Sequence, residues 1–187
     1  IHDTRYYLDI LKDIEDKEIK IDGVISDQSD AALKSVSLIA EKFKLPYKNL
    51  KVINNTLDKS TQYETLFRNG VNVPKTFCCD LGQEKDFIEN FEYKYNSLNN
   101  LWVLKPSDSQ GSKGVYIVHS KEELEEKLSK SFKESRKGSV ILQEFINGRE
   151  YSIDGLITGG DFYPLVCATK FHYLNNQFID ERNTFIN

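Results

Sequence analysis

Residues 101–114 read "LWVLKPSDSQGSKG": an apolar run ends in a lysine and a proline, then gives way to eight small or polar residues that include two glycines. The next stretch, "GVYIV" (114–118), is apolar again, so the loop joins two strands and delivers Lys105 to its mouth. A Walker A loop needs a GK[ST] signature opening a helix, and a dinucleotide fingerprint needs GxGxxG; neither is present. A small-residue loop between two antiparallel strands can still fold over phosphates, because its backbone N–H groups approach anionic oxygens without bulky Cβ substituents. A lysine beside it would add a charge-assisted hydrogen bond worth about 1.5–3 kcal/mol. Alone, the stretch reads equally as an ordinary hairpin with a solvated lysine.

Outward from this loop, the apolar spacing predicts alternating elements. Tyr7, Ile10, Leu11 and Ile14 fall on one helical face, "IKIDGVIS" (19–26) reads as a short strand, and Ala32, Val36, Ile39 and Phe43 mark a helix from Gln28 to Lys44. That is the β-α pattern of a doubly wound α/β unit. A further helix begins near Thr56 or Asp58 and stops at Asn69-Gly70. "VNVPKTFCC" (71–79) reads as a strand, and residues 83–95 as a helix with Phe87, Ile88, Phe91 and Tyr95 inward. After the strand pair comes "SKEE" (120–123), a capping box, whose helix buries Leu124, Leu128 and Phe132. "SVILQEFI" (139–146) is a strand, and "TGGD" (158–161) is a hairpin turn in an antiparallel meander. The loop 107–113 and the polar tip "YNSLNN" (95–100) are expected to be the least ordered parts.

Two more stretches carry chemistry. In "QEFINGRE" (143–150), strand residues i and i+2 turn their backbone groups to one edge, so the Glu144 C=O and Ile146 N–H offer an acceptor and a donor side by side. Adenine presents the complementary pair. Gln143 could add an amide contact to the base, and Glu150 could accept from two ribose hydroxyls. In "LDKSTQYETLF" (57–67), Lys59 sits in the first turn of a helix, the wrong sign for that end, and so invites an anion shared with the helix terminus. Exposed acids in a turn, and a surface lysine that happens to fall there, are the bland alternatives.

Composition narrows the classes. Twenty-five Lys+Arg against 29 Asp+Glu give a net charge of −4, which recommends neither nucleic acid nor an anionic membrane as partner. No apolar run approaches the roughly 18 residues of a spanning helix. The three cysteines, two adjacent at Cys78 and Cys79, with three histidines make neither a disulfide framework nor a zinc set, and point to a reducing, cytoplasmic compartment. There is no methionine, and the chain opens directly on an amphipathic helix and ends without a cap, as a piece of a longer protein would.

The order of these features together resembles the ATP-grasp superfamily, in the branch of carbamoyl phosphate synthase large subunits, biotin carboxylases and bacterial amino-acid ligases. That order is a helix with an early lysine, "GVNVP", a strand ending in lysine, a glycine-bearing loop, a strand, a helix, a strand with Gln-Glu-hydrophobic pairs, then G-x-E. "IDGVISDQSDAALKSVSLIAEKFKLP" is similar to the end of that family's preceding Rossmann-like domain, and "DKSTQYETLFRNGVNVPKTF" to its entry helix and strand. The implied fold is α/β, with α+β character in the grasp part. Residues 1–56 would close a Rossmann-like pre-ATP-grasp domain. Residues 57–187 would form a truncated ATP-grasp domain, with 101–146 its small nucleotide-binding subdomain and the start of the antiparallel catalytic sheet following.

The resemblance implies that Lys59 and Lys105 hold ATP phosphates and that residues 107–114 form a flap over the γ-phosphate, touching it through Ser109, Gln110, Gly111 and Ser112. Gln143, Glu144, Phe145 and Ile146 would line adenine, and Glu150 the ribose. It also implies the reaction: ATP activates a carboxylate or bicarbonate as an acyl phosphate, and an amine or similar nucleophile displaces phosphate. The substrates would be small molecules, with no nucleic acid or membrane involved and a homodimer allowed. The cofactors would be ATP and Mg²⁺, whose ligands are expected beyond Asn187, since Asp154 or Glu181 alone cannot supply near-octahedral oxygen ligation. The 187 residues alone are therefore expected to bind nucleotide weakly and not to turn over. No catalytic residue is assigned. Lys170, His172 and Arg182 fall where related enzymes face substrate, and read equally as surface residues of a meander. A protein-kinase small lobe is disfavoured because its glycine loop precedes its lysine. A non-catalytic nucleotide-sensing module of the same fold remains the alternative.

Overall fold

The computed structural model describes residues 4–26, 30–47, 49–91, 101–173 and 176–185. The chain divides into two compact units, Ile1–Asn72 and Val73–Asn187.

The first unit is helical among its described residues. Helix α1 (Thr4–Asp16) packs on α2 (Leu33–Lys42, entered through a 3-10 turn at Asp30–Ala32), α2 on α3 (Leu50–Leu57), and α3 on α4 (Lys59–Arg68). Leu11, Val36, Ile39, Ala40 and Ile53 are buried between them. Helix α2 ends in a Schellman motif: Leu45 N–H donates to the Ala40 carbonyl at 2.8 Å and Lys44 N–H to Glu41 at 3.2 Å. Lys44, at φ 55°, stands where glycine is usual. Helix α4 ends the same way at Gly70, φ 76°, as Asn69-Gly70 predicts.

Two segments differ from what the apolar spacing predicts. Residues 19–26 form no strand, because no described segment pairs with them and a strand exists only as one side of a hydrogen-bonded ladder; Ile25 is 87 % exposed. Residues 50–57, which the apolar spacing leaves between elements, form helix α3. Asn49 caps it by accepting from Val52 N–H at 3.0 Å.

In the second unit a four-stranded antiparallel sheet has the order β1-β4-β2-β3, from β1 (Thr76–Asp80), β2 (Trp102–Pro106), β3 (Tyr116–Val118) and β4 (Ser139–Glu144). Helices α5 (Glu84–Glu89) and α6 (Lys121–Lys133) cover one face. The alternation of strand side chains puts Cys79, Trp102, Leu104, Val118, Val140 and Leu142 on that face, where Phe87, Phe91, Leu124, Leu128 and Phe132 meet them. Phe77 tilts against Trp102 with ring centroids 5.8 Å apart. The opposite face carries Thr76, Cys78, Val103, Lys105, Ile141 and Gln143 in register. Helix α5 is shorter than the expected 83–95; Tyr95 and the tip 95–100 lie outside the described residues, as does Gln28.

A three-stranded meander follows, β5 (Tyr151–Thr158), β6 (Asp161–Tyr173) and β7 (Asn176–Phe185). Its first turn is Gly159-Gly160, both at positive φ (62° and 95°), as a two-residue hairpin requires. Between Asp154, opposite Val166, and Gly155, opposite Pro164, the register shifts and β6 carries the extra residue, Leu165.

Candidate functional site

Lys105 stands on β2, two residues before the loop, on the sheet face turned away from the helices. Its Nζ donates to Oε1 of Gln143 at 2.8 Å. Gln143, 6 % exposed, donates through Nε2 to Thr76 Oγ1 at 2.9 Å, and that hydroxyl donates to the Pro74 carbonyl at 2.9 Å. Registry explains the meeting: Val103, Gln143 and Thr76 lie opposite one another across β2, β4 and β1, and Lys105 is two residues along on the same face. Burial holds the Lys105 ammonium below the usual lysine range. Both ends of the Gln143 amide thus have a partner within the sheet, Lys105 at the oxygen and Thr76 at the nitrogen.

Glu144 N–H donates to the Lys75 carbonyl at 2.8 Å and Phe145 N–H, turned the other way, to Leu101 at 2.9 Å. The Glu144 carboxylate accepts from Lys75 N–H at 3.4 Å, and Ile146 is 61 % exposed.

Between β2 and β3 the loop has two fixed roots. Ser107 N–H donates to the Ser139 carbonyl at 3.0 Å. The Asp108 carboxylate accepts from Ser135 Oγ (2.8 Å), Arg136 N–H (3.1 Å) and Lys137 N–H (3.0 Å). At the far root, Gly114 has φ +70°, and an added Cβ would meet Pro106 Cγ and Glu134 Cβ at 3.0 Å. Between them Ser109 and Ser112 are half-buried, and Gln110 and Gly111 exposed. Gly111 and Ser112 both have positive φ, 66° and 56°, a conformation uncommon for serine.

Glu150 meets residues that the sequence placed separately. Its Oε1 accepts from Lys170 Nζ at 2.6 Å, and its Oε2 lies 2.9 Å from His172 Nε2. Burial pulls this carboxyl upward, but Lys170 and His172 outweigh it and hold it below its ordinary value. Arg182 pairs with Phe171 in the ladder.

Lys59 is the first residue of α4, in the first unit. The amino terminus of α4 is already capped: Asp58 accepts from Ser60 N–H at 2.9 Å and Thr61 N–H at 3.3 Å, and from the Ser60 hydroxyl. Two of the donors at that helix end, the Ser60 and Thr61 N–H groups, thus already meet a carboxylate of the chain itself.

Other chemistries find little support. Cys79 is buried and its thiol is pushed up to about 12, first by burial and then by Glu84 and Asp80, so it is a poor nucleophile. Among the described residues no group of three or more His, Cys, Asp or Glu is placed to hold a metal ion. No helix among them is long and apolar enough to cross a membrane. The residues the sequence did not single out, Thr76 and Asp108, act through strand registry and a contact across 27 to 29 positions, which no local pattern announces.

A family model described as an ATP-grasp domain matches residues 56–183. The chain is 35 % identical over 110 residues to the D-alanine–D-alanine ligase of Petrotoga mobilis, covering 59 % of this chain and 32 % of that protein. An L-amino acid ligase from Bacillus licheniformis superposes with a TM-score of 0.68 at 23 % identity, covering 90 % of this chain and 37 % of that one. The D-alanine–D-alanine ligase of Bacillus anthracis complexed with ATP gives 0.69 at 20 % identity, covering 97 % and 56 %. The chain thus spans about a third to a half of the length of these proteins. The match over 56–183 takes in most of the sequence, and the chain belongs to the ATP-grasp family.

Proposed function

We propose that this chain is the ATP-binding part of a ligase that activates a carboxylate as an acyl phosphate for attack by an amine or similar nucleophile. The observation that carries the reading is the half-buried Lys105 ammonium, oriented by Gln143 at the root of the loop 107–114. An oriented cation at low effective dielectric neutralises phosphate charge with little reorganisation, which is the protein's main task in phosphoryl transfer. In this reading Lys59 and Lys105 hold the phosphates, and Ser109, Gln110, Gly111 and Ser112 cover them. The Glu144–Ile146 edge takes adenine with Phe145 beside it, and Glu150 takes the ribose. The names of the related ligases support the assignment.

We further propose the division of the chain at residue 56/57, with 1–56 the close of a Rossmann-like domain; the start of the family match at residue 56 supports it. Ligands for magnesium are expected beyond Asn187. The acceptors would be small molecules of the amino-acid or bicarbonate class, in a cytoplasmic setting.

The test is equilibrium binding of ATP and AMP to the chain. Lys105→Ala should weaken ATP by about 2–3 kcal/mol through the lost charge-assisted contact, whereas Lys121→Ala, on α6, should change it little. Equal ATP affinities for the two variants would sink the reading. In the whole protein, ATP-dependent phosphate release screened against amino acids and bicarbonate identifies the acceptor, and nucleotide binding without release would mark a sensing module.

A further inference from the structure

The two roots of the loop 107–114 dock on the same short segment, the turn 134–137 that joins α6 to β4. At the first root the Asp108 carboxylate takes three donors from that turn: the Ser135 hydroxyl, the Arg136 N–H and the Lys137 N–H. Ser135 Oγ also accepts from Ser139 N–H at 2.9 Å, which ties the same hydroxyl to the start of β4. At the second root Gly114, at φ +70°, lies against Pro106 and Glu134, so that a Cβ would stand 3.0 Å from each and a neighbour would have to give. Gly111, between the roots, has nothing within 4 Å of where its Cβ would be.

We propose that Asp108 is a positioning residue that latches the loop to the 134–137 turn, confining the moving part of the flap to Ser109–Lys113 and setting its height above the phosphates. The proposal rests on the ATP reading for its consequence and on the hydrogen bonds for its geometry. A carboxylate with both oxygens engaged by backbone N–H groups is a stronger anchor than any neutral side chain of that size. A flap pinned at both ends loses less freedom on closing than one hinged over its whole length, so more of its contact with phosphate appears as affinity. The base and ribose contacts lie elsewhere on the chain and do not pass through Asp108.

The experiment uses the whole 187-residue chain and three variants, Asp108→Ala, Asp108→Asn and Ser135→Ala, with two readouts. In hydrogen exchange followed by mass spectrometry, Asp108→Ala should speed exchange at Arg136, Lys137 and 109–113 about tenfold, with the β4 core unchanged. ATP affinity should fall by a similar factor, about tenfold, while AMP affinity, blind to the flap, holds. Asp108→Asn, which keeps one acceptor oxygen, should recover part of both effects, and Ser135→Ala should give a smaller version of each. Unchanged exchange at 136, 137 and 109–113 in Asp108→Ala overturns the latch. Equal losses of ATP and AMP also overturn it, since they mark a role in folding alone. If the parent chain binds neither nucleotide, the ATP reading fails by itself and the exchange data still decide the latch.

Discussion

Lys105 and Gln143 face each other across neighbouring strands, ammonium to amide oxygen at 2.8 Å, and the amide is turned that way because its NH₂ end is held by Thr76. The pair is a relay in which one uncharged side chain orients a cation and leaves its charge available. Gln143→Leu keeps the shape and removes the acceptor. It should lower the Lys105 pKa further, since burial would then act without its compensating bond. It should cost about 1–3 kcal/mol of stability, the usual penalty for stranding a buried partner. ATP affinity should fall with it while AMP affinity changes little. Urea unfolding and nucleotide titration of the one variant check both halves, and a variant as stable as the parent would show that Gln143 does not support the lysine.

The direction of the Lys105 shift gives a pH dependence with opposite signs for stability and binding. Its folded-state pKa lies below the unfolded value of 10.5. As pH rises through the folded value the folded chain releases its proton first, and the unfolded chain holds its own until 10.5. Within that window the unfolded state binds more protons, so this group's contribution to stability rises with pH. ATP affinity should fall across the same window because the phosphate loses its cation. Titration of ATP between about pH 7 and 10 should show that fall below the ordinary lysine range, and Lys105→Arg, charged throughout, should flatten it.

What the sequence made legible was local. The Ser120 cap is seen as read, its hydroxyl accepting from Glu123 N–H at 3.3 Å, although the Glu123 carboxylate returns to His119 N–H rather than to Ser120. Gly159-Gly160 and Asn69-Gly70 stop their elements because their backbone angles are intrinsic to those residues. The strand–loop–strand order around Lys105 was likewise legible, because alternation and apolar runs report it. The partners of the candidate residues were not. Gln143 lies 38 positions from Lys105, and Glu150 lies 20 and 22 from Lys170 and His172, so only strand registry decides who meets whom. The failure at 19–26 has the same origin: an apolar run states a preference for burial, not the presence of a partner to pair with.

Asp58 closes α3 and opens α4, and its carboxylate is the only charge among the N-terminal capping contacts of α4 described here. Asp58→Ala should cost about 0.5–2 kcal/mol, as loss of an N-cap does, and Asp58→Asn should recover most of it because the acceptor oxygen remains. If Lys59 works through its own charge, both variants should keep ATP affinity within a small factor of the parent, and Lys59→Ala should lose it. Thermal unfolding and ATP titration separate the two residues, and a loss of ATP affinity in Asp58→Asn would mean that the cap itself sets the site.

Gly155 marks the place where β5 and β6 come too close for any side chain. A Cβ there would stand 2.5 Å from both the Phe162 ring and the Tyr163 carbonyl, and the backbone oxygen cannot swing aside as a side-chain tip would. The register shift falls at the same place, with Leu165 of β6 as the extra residue between the partners of Asp154 and Gly155. Gly155→Ala should therefore force the two strands apart and cost about 1–3 kcal/mol, as overpacking does. Gly160→Ala sits in open space and is strained only by its φ of +95°, so it should loosen the turn and leave the bulge intact. Because Glu150 N-terminal to β5 is held by Lys170 and His172 on β6, separating the strands should also weaken that cluster. The measurement is exchange of the 151–158 amides alongside the unfolding midpoint. Equal behaviour of the two glycine variants would mean that the close approach at the bulge carries no constraint.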